Sequence, residues 1–301
     1  MFNQFRKEQF QNYQKARNFF VSQPEILISL EKYLSQVINQ LLQDALLEIT
    51  TDYNEASALF PFWETYPPDD RGRMPRGDQY PWIEVGENAV GSKLPRLLDK
   101  AFEIRDPGLP SGPDERFLLS SKKIHDLTEG FTNAVWLMID IKSVGPRDNF
   151  PHAVMSHNQI SGDGNWEIES EGVKNTVLKA VGKRSQHLFH ASLSPLYVLS
   201  DGTIAPTITL ALKPVYKMLN LEPGKTEGQP LEKLVIATIP NGLLLCEKPG
   251  YLQSHEGLLY PGKDDRSKNP LKVRCRVSFD LLKEIADWRI SELYTDTKLS
   301  S

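Results

Sequence analysis

The chemistry this sequence could do is concentrated in two short segments, Pro113-Asp114 and Asp140-Ile141-Lys142. Metal-dependent nucleases use this order of acidic residues and lysine to hold Mg²⁺ and a water against a phosphodiester. Hydrolysis of that bond needs a nucleophilic water, in-line geometry and relief of charge on the phosphate oxygens. Mg²⁺ would lower the pKa of a bound water and clamp a non-bridging oxygen. Asp114 and Asp140 are suitable oxygen ligands, and the backbone carbonyl of Ile141 would complete the protein's share. Lys142 would stand near the attacking water or the developing negative charge, as an electrostatic stabiliser or a base of lowered pKa. Glu87 is a further candidate ligand or water-orienting group.

These side chains need a scaffold. The apolar run Ala134 to Ile139 reads as a buried strand entered from Thr132 and Asn133. Alternation puts Asp140 and Lys142 on one face, with Ile139 and Ile141 turned into the core. Burying such a carboxylate and ammonium is costly unless they are paired, metal-bound or used. So short a motif also arises by chance, with Asp114 capping a turn and Lys142 as an edge-strand charge.

Elsewhere the first fifty residues have helical spacing, through Ile26, Leu30, Leu34, Val37, Ile38, Leu41, Ala45 and Ile49. Residues 60–81 carry five prolines and read as an ordered loop. Helical spacing returns over 84–98, with Glu87 beside the apolar stripe. Residues 143–165 read as a long loop after the apolar strand. Two hairpins are predicted, Leu196–Leu199 with Ile204 onward, and Leu234–Ile239 with Leu243–Cys246, turning at Asp201-Gly202 and Asn241-Gly242. A strand over Val273–Phe279 and a closing helix over Leu281–Tyr294 complete the reading. The fold class expected is α/β, a mixed β-sheet flanked by helices.

Basic residues gather late, at Lys263, Arg266, Lys268, Lys272, Arg274 and Arg276. Arg274 and Arg276, two apart on a strand, would leave one face while Val273 and Cys275 turn inward. That ribbon suits guanine O6 and N7 in a major groove, or is simply a solvated charged strand. The chain's 301 residues, 40% hydrophobic, can bury a full-sized core, and a formal charge of −4 makes any nucleic-acid surface local. The polar N-terminus excludes a signal peptide and no run reaches membrane-spanning length, so a cytoplasmic location is expected. Cys246 and Cys275 read as reduced core residues, and His187 and His190 lack partners for a zinc site.

Longer runs are more specific than the motif. Pro61-Phe62-Trp63, Tyr66-Pro67-Pro68, Gly77-Asp78-Gln79 and Pro81 to Glu87 resemble the BglI family of type II restriction endonucleases. So do Gly112 to Arg116, Asp140 to Asp148, Leu199 to Pro206, Pro240 to Leu243, Pro261 to Arg266 and Arg274 to Val277, in the same order. The resemblance runs from about Asp52 to Val277 and is weakest over 156–189 and 248–260. It implies one restriction-endonuclease-like domain over 1–301, with N-terminal helices in 1–50, a catalytic core in 82–145 and a DNA-reading segment in 261–280. It implies a homodimer that uses Mg²⁺ to cut double-stranded DNA at GCCNNNNNGGC, leaving 3′ overhangs, beside a cognate methyltransferase in the host. Asp114, Asp140 and Lys142 match the family's catalytic positions and Glu87 its accessory acid. Asp148, Lys263, Asp265, Arg274 and Arg276 match its base-reading positions. Two other functions are compatible with such a scaffold: a repair or recombination nuclease governed by DNA structure, and a non-catalytic DNA-binding protein.

Overall fold

Pro24 at the first helical position and Glu25 in the first turn start a helix whose Ile26, Leu27, Leu30, Leu34, Ile38 and Leu42 are all buried. Burial of each such side chain contributes about 1.5–3 kcal/mol relative to exposure. The computed structural model describes residues 2–64, 82–168, 170–217, 230–262 and 273–295. The helical N-terminus is α1 (Phe2–Ser22), α2 (Pro24–Asp44) and α3 (Leu46–Glu64), with Ala45 closing α2. Residues 60–64, expected in a loop, are the last turn of α3, and the rest of that expected loop, residues 65–81, lies outside the described residues. The next helical stretch is α4 (Trp82–Gly91) and α5 (Leu94–Leu98).

Then come β1 (Glu103–Arg105), β2 (Glu115–Ser120), α6 (Lys122–Leu127) and β3 (Ala134–Ile141), the predicted apolar strand. All eight residues of β3 are buried because the strand lies inside the sheet, between antiparallel β2 and a parallel neighbour. The stretch read as one long loop is more ordered: a 3₁₀ turn at Pro146–Asp148, strand β4 (His152–Met155) and a second 3₁₀ turn at His157–Gln159. Two small hairpins follow, β5 (Trp166–Glu167) with β6 (Gly172–Val173), and β7 (Leu178–Val181) with β8 (Gln186–Phe189).

The predicted hairpin at Asp201-Gly202 is present, joining β9 (Leu196–Val198) to β10 (Ile204–Tyr216). The thirteen-residue β10 is buried throughout, parallel to β3 and antiparallel to β11 (Leu231–Ile239). The second expected hairpin is not formed. Leu243–Cys246 belongs to helix α7 (Gly242–Cys246), and Asn241 caps it by accepting from the Leu243 N–H at 2.9 Å. Gly242 is needed for close approach, since a Cβ there would lie 1.8 Å from the Gly162 carbonyl oxygen.

The chain continues through α8 (Tyr251–Ser254), β12 (Leu259–Pro261), β13 (Cys275–Ser278) and α9 (Phe279–Ile285) to β14 (Ile290–Tyr294). The strand expected over 273–279 is therefore shorter, because Ser278 caps α9. The expected closing helix stops at Ile285. Beyond it a 3₁₀ turn at Asp287–Arg289 leads into β14, which pairs with the otherwise open edge of β11.

The principal sheet runs β1-β2-β3-β10-β11-β14, with β9 beside β10. Its helix-covered face holds Ile139, Ile141, Leu210 and Leu212 with the apolar stripes of α1, α2 and α3. The other face, through Ala211, Val215 and Val235, meets the smaller sheet β12-β13-β4 and Phe279 and Leu282 of α9, so helices flank the principal sheet on both sides. Among the described residues both cysteines are free, with Cys275 buried and Cys246 half-buried. No helix there is long and apolar enough to cross a membrane.

Candidate active site

The strand period and the β2–β3 register together build the site. Ile139 and Ile141 enter the helix-covered core, so Asp140 turns to the opposite face, where it is fully buried. Glu115 pairs with Ile139, which brings the preceding residue, Asp114, alongside Asp140. Asp114 is exposed, and its Oδ2 accepts the Ile141 N–H at 2.6 Å. The two expected carboxylates and the Ile141 peptide are thus neighbours.

The oxygens of Asp140 are treated unequally. Oδ1 accepts from Lys142 Nζ at 2.7 Å and also from Gln159 Nε2. Oδ2 is buried with no hydrogen-bond partner. Desolvation is the main reason the carboxyl pKa is pushed up to about 7; Lys142 pulls it down and the Asp114 charge pushes it further up. A buried carboxylate oxygen with nothing on it, beside a second carboxylate, fits a divalent cation with oxygen preference. Among the described residues no third acidic, histidine or cysteine side chain joins the two aspartates in a metal-binding group.

Lys142 is about one-third exposed and borders a cavity of about 610 Å³. Glu87 lines the same cavity from α4, whose neighbouring Gly86 packs so close that a Cβ would lie 2.6 Å from that of Ser143. Asp148, His152, Tyr260, Arg274 and Arg276 line the same cavity. Val273 and Cys275 are buried while Arg274 and Arg276 are half-exposed, the alternation expected. Arg276 is steadied by donation from Nη1 to the Pro261 carbonyl at 2.6 Å and lies 5.9 Å from the Tyr260 ring centroid. Lys263 and Asp265 lie outside the described residues.

Two site residues were missed in the sequence. Gln159 was hidden in the presumed loop. Lys213, on β10, is 2% exposed and donates to the Phe150 carbonyl at 2.6 Å, fixing the loop that follows Asp148. Burial lowers its pKa to about 8. A charge inside the long apolar run of β10 was a signal that could have found it.

A mixed sheet flanked by helices, with paired carboxylates and a lysine at the ends of β2 and β3, defines a restriction-endonuclease-like nuclease. The model of the family "Restriction endonuclease BglI" matches residues 8–293. A curated relative, the type II restriction enzyme BglI of Bacillus subtilis, is 47% identical over 289 residues, covering 95% of this chain and 96% of the relative. The crystal structure of BglI bound to its DNA recognition sequence matches with a TM-score of 0.89 and 46% identity, over 98% of this chain and 100% of that one. The tetrameric restriction endonuclease SfiI bound to cognate DNA shares the fold, with a TM-score of 0.56 and 18% identity over 90% of this chain and 85% of that one. The chain belongs to the BglI family of restriction endonucleases. It is a type II restriction enzyme, a hydrolase of DNA that works with a divalent metal ion.

Proposed function

We propose that this enzyme uses Mg²⁺ to cut double-stranded DNA at GCCNNNNNGGC, leaving 3′ overhangs. The observation that carries the catalytic half is the bare, buried Oδ2 of Asp140 beside the Asp114 carboxylate. Asp114, Asp140 and the Ile141 carbonyl would hold the ion. Mg²⁺ would supply charge to the phosphate and acidify an attacking water. Lys142 places an ammonium at the cavity edge, where charge develops on the phosphoryl oxygens. Its bond to Asp140 limits the directions in which that ammonium can point. Glu87, on the same cavity, orients water or assists the metal.

Reading of the site belongs to other residues of the same cavity and to the segment beyond β12. Arg274, Arg276 and Lys263 offer donors to guanine O6 and N7, and Asp148 and Asp265 accept from cytosine N4. An arm of three guanine–cytosine pairs presents complementary groups to this set. Two copies of the chain related by a two-fold axis would read the two arms, so a homodimer follows from the palindrome. A single domain over 1–301 is supported by one apolar cluster that runs from Tyr13 to Leu293. The enzyme acts in the cytoplasm, where a cognate methyltransferase must protect the host's own copies of the site.

Digestion of a mapped plasmid by purified protein with and without Mg²⁺, followed by sequencing of the ends, tests this reading. Mg²⁺-dependent ends inside GCC-spacer-GGC are expected. Discrete ends at another sequence would remove the base-reading assignment and keep the catalytic one. Cutting that follows DNA junctions or ends would replace the reading with a structure-specific nuclease.

A further inference from the structure

We propose that Gln159 is a positioning residue that aims Asp140 at the metal, and that the turn carrying it links base reading to metal binding. The inference rests on the reading of Asp140 as a metal ligand. The orientation of the Gln159 amide is fixed by its partners. Oε1 accepts the Ser156 N–H at 2.7 Å, so Nε2 must face the acceptor on its other side, Asp140 Oδ1. With Lys142 also on Oδ1, that oxygen is saturated and the bare Oδ2 is left for the ion.

The same turn, His157–Gln159, braces the other carboxylate's segment. A Cβ on Gly112, two residues before Asp114, would lie 2.2 Å from the Asn158 carbonyl oxygen, and Gly112 has a φ of +142°. Only glycine allows this approach. Both acidic segments therefore rest on one three-residue turn. That turn directly follows β4, in which Val154 pairs with Arg276 and Met155 with Cys275. A shift of β13 when Arg276 meets its base passes through β4 to the Ser156–Gln159 bonds and so to Asp140. Besides Lys142, Gln159 is the one described side chain that donates to Asp140, and it does so from the turn that follows β4.

The test compares wild type, Gln159→Met, Gln159→Glu and Asp140→Ala in the full chain. Gln159→Met removes the donor at similar volume. Gln159→Glu keeps the acceptor for Ser156 but sets a second carboxylate against Oδ1, and guards against a folding failure of the first variant. Two quantities are read: the Mg²⁺ concentration that half-saturates single-turnover cleavage, and the rise of the unfolding midpoint with Mg²⁺ in the absence of DNA. Both Gln159 variants should need about tenfold more Mg²⁺, equivalent to about 1.4 kcal/mol, and show a smaller Mg²⁺-induced rise. Their affinity for the duplex without metal should be unchanged. In wild type, changing one outer base pair of the site should raise the Mg²⁺ requirement; in the Gln159 variants that extra rise should vanish. An unchanged Mg²⁺ requirement in both variants, or a base-pair penalty as large as in wild type, overturns the inference. Asp140→Ala separates the two failures. If it still shows the full Mg²⁺-induced rise, the metal-ligand reading itself is wrong.

Discussion

Among the described residues two ion pairs have a fully buried acid, Glu31–Arg289 and Asp140–Lys142, and they are built to opposite ends. Glu31 and Arg289 are both fully buried where α2 meets the turn before β14. Glu31 spends both oxygens, one on Arg289 Nη2 at 2.7 Å and one on the Asn241 N–H at 2.6 Å. The guanidinium also reaches the Thr238 carbonyl at 3.3 Å and lies 4.4 Å from the Trp288 ring, leaving only Nε without a bond. Asp140 is equally buried, yet half of its carboxylate has no partner, and its lysine reaches the cavity. The first pair fastens a helix to the sheet; the second keeps an unmet demand for positive charge. Satisfaction of the acid, not its burial, distinguishes the two pairs, and it is the open one to which the proposed chemistry is assigned.

The largest effect should come from the open pair. Asp140→Ala is expected to lower the single-turnover cleavage rate at least ~1,000-fold, about 4 kcal/mol of transition-state stabilisation. Mg²⁺-independent DNA binding should persist in a mobility-shift assay. Cleavage within tenfold of wild type would make Asp140 a structural acid like Glu31. The sealed pair should fail in the other currency. Arg289→Met leaves Glu31 buried and unpaired, which costs about 3–5 kcal/mol of stability by urea denaturation. The cleavage rate per folded molecule should not change. Adding Glu31→Leu should recover most of the stability, as expected when a buried pair is replaced as a unit.

The contrast also has a pH signature. Asp140 titrates near 7 in the fold and near 3.8 in the unfolded chain. Between those values the folded state holds more protons, so metal-free stability falls as pH rises through this window and levels off above about 7. Asp140→Asn cannot ionise. It should therefore gain on wild type by a few kcal/mol at most between about pH 4 and pH 7, measured in chelator by urea denaturation. Mg²⁺ should erase much of that gain by stabilising the wild-type carboxylate. A difference that does not vary with pH would show that Asp140 is already ionised without the metal.

Much of this was legible in the sequence because it depends on period and register. The unbroken apolar run of β3, the two-residue alternation that turns Asp140 away from Ile139 and Ile141, and the helical stripe of α2 are local signals. What escaped depends on distant partners. Asn241-Gly242 has the composition of a hairpin turn, but Asn241 also donates to the carbonyls of Pro195 and Thr207, which convert it into a helix cap. Ile290 and Leu293 continue the helical spacing of Leu282 and Ile285, yet the open edge of β11 takes them as a strand. β4 is short and recognisable only through its pairing with β13. Gln159 has no periodicity to reveal it; its contact with Asp140 exists only once the turn folds back on β3.

Arg276 lies between the two extremes and gives the finest test of the comparison. Like Arg289 it has an anchor, the Pro261 carbonyl, and a buried Nε without a hydrogen bond; like Lys142 it borders the cavity. If the cavity side is its working side, Arg276→Ala should cost about 1–3 kcal/mol of discrimination at one base pair of the site and little on other sequences. Binding to the site and to its single-base variants, measured at one fixed salt concentration, resolves this. A uniform loss on every duplex, with a shallower salt dependence, would assign Arg276 to a phosphate. Loss of stability without either change would place it with Arg289, as a fastening between β12 and β13.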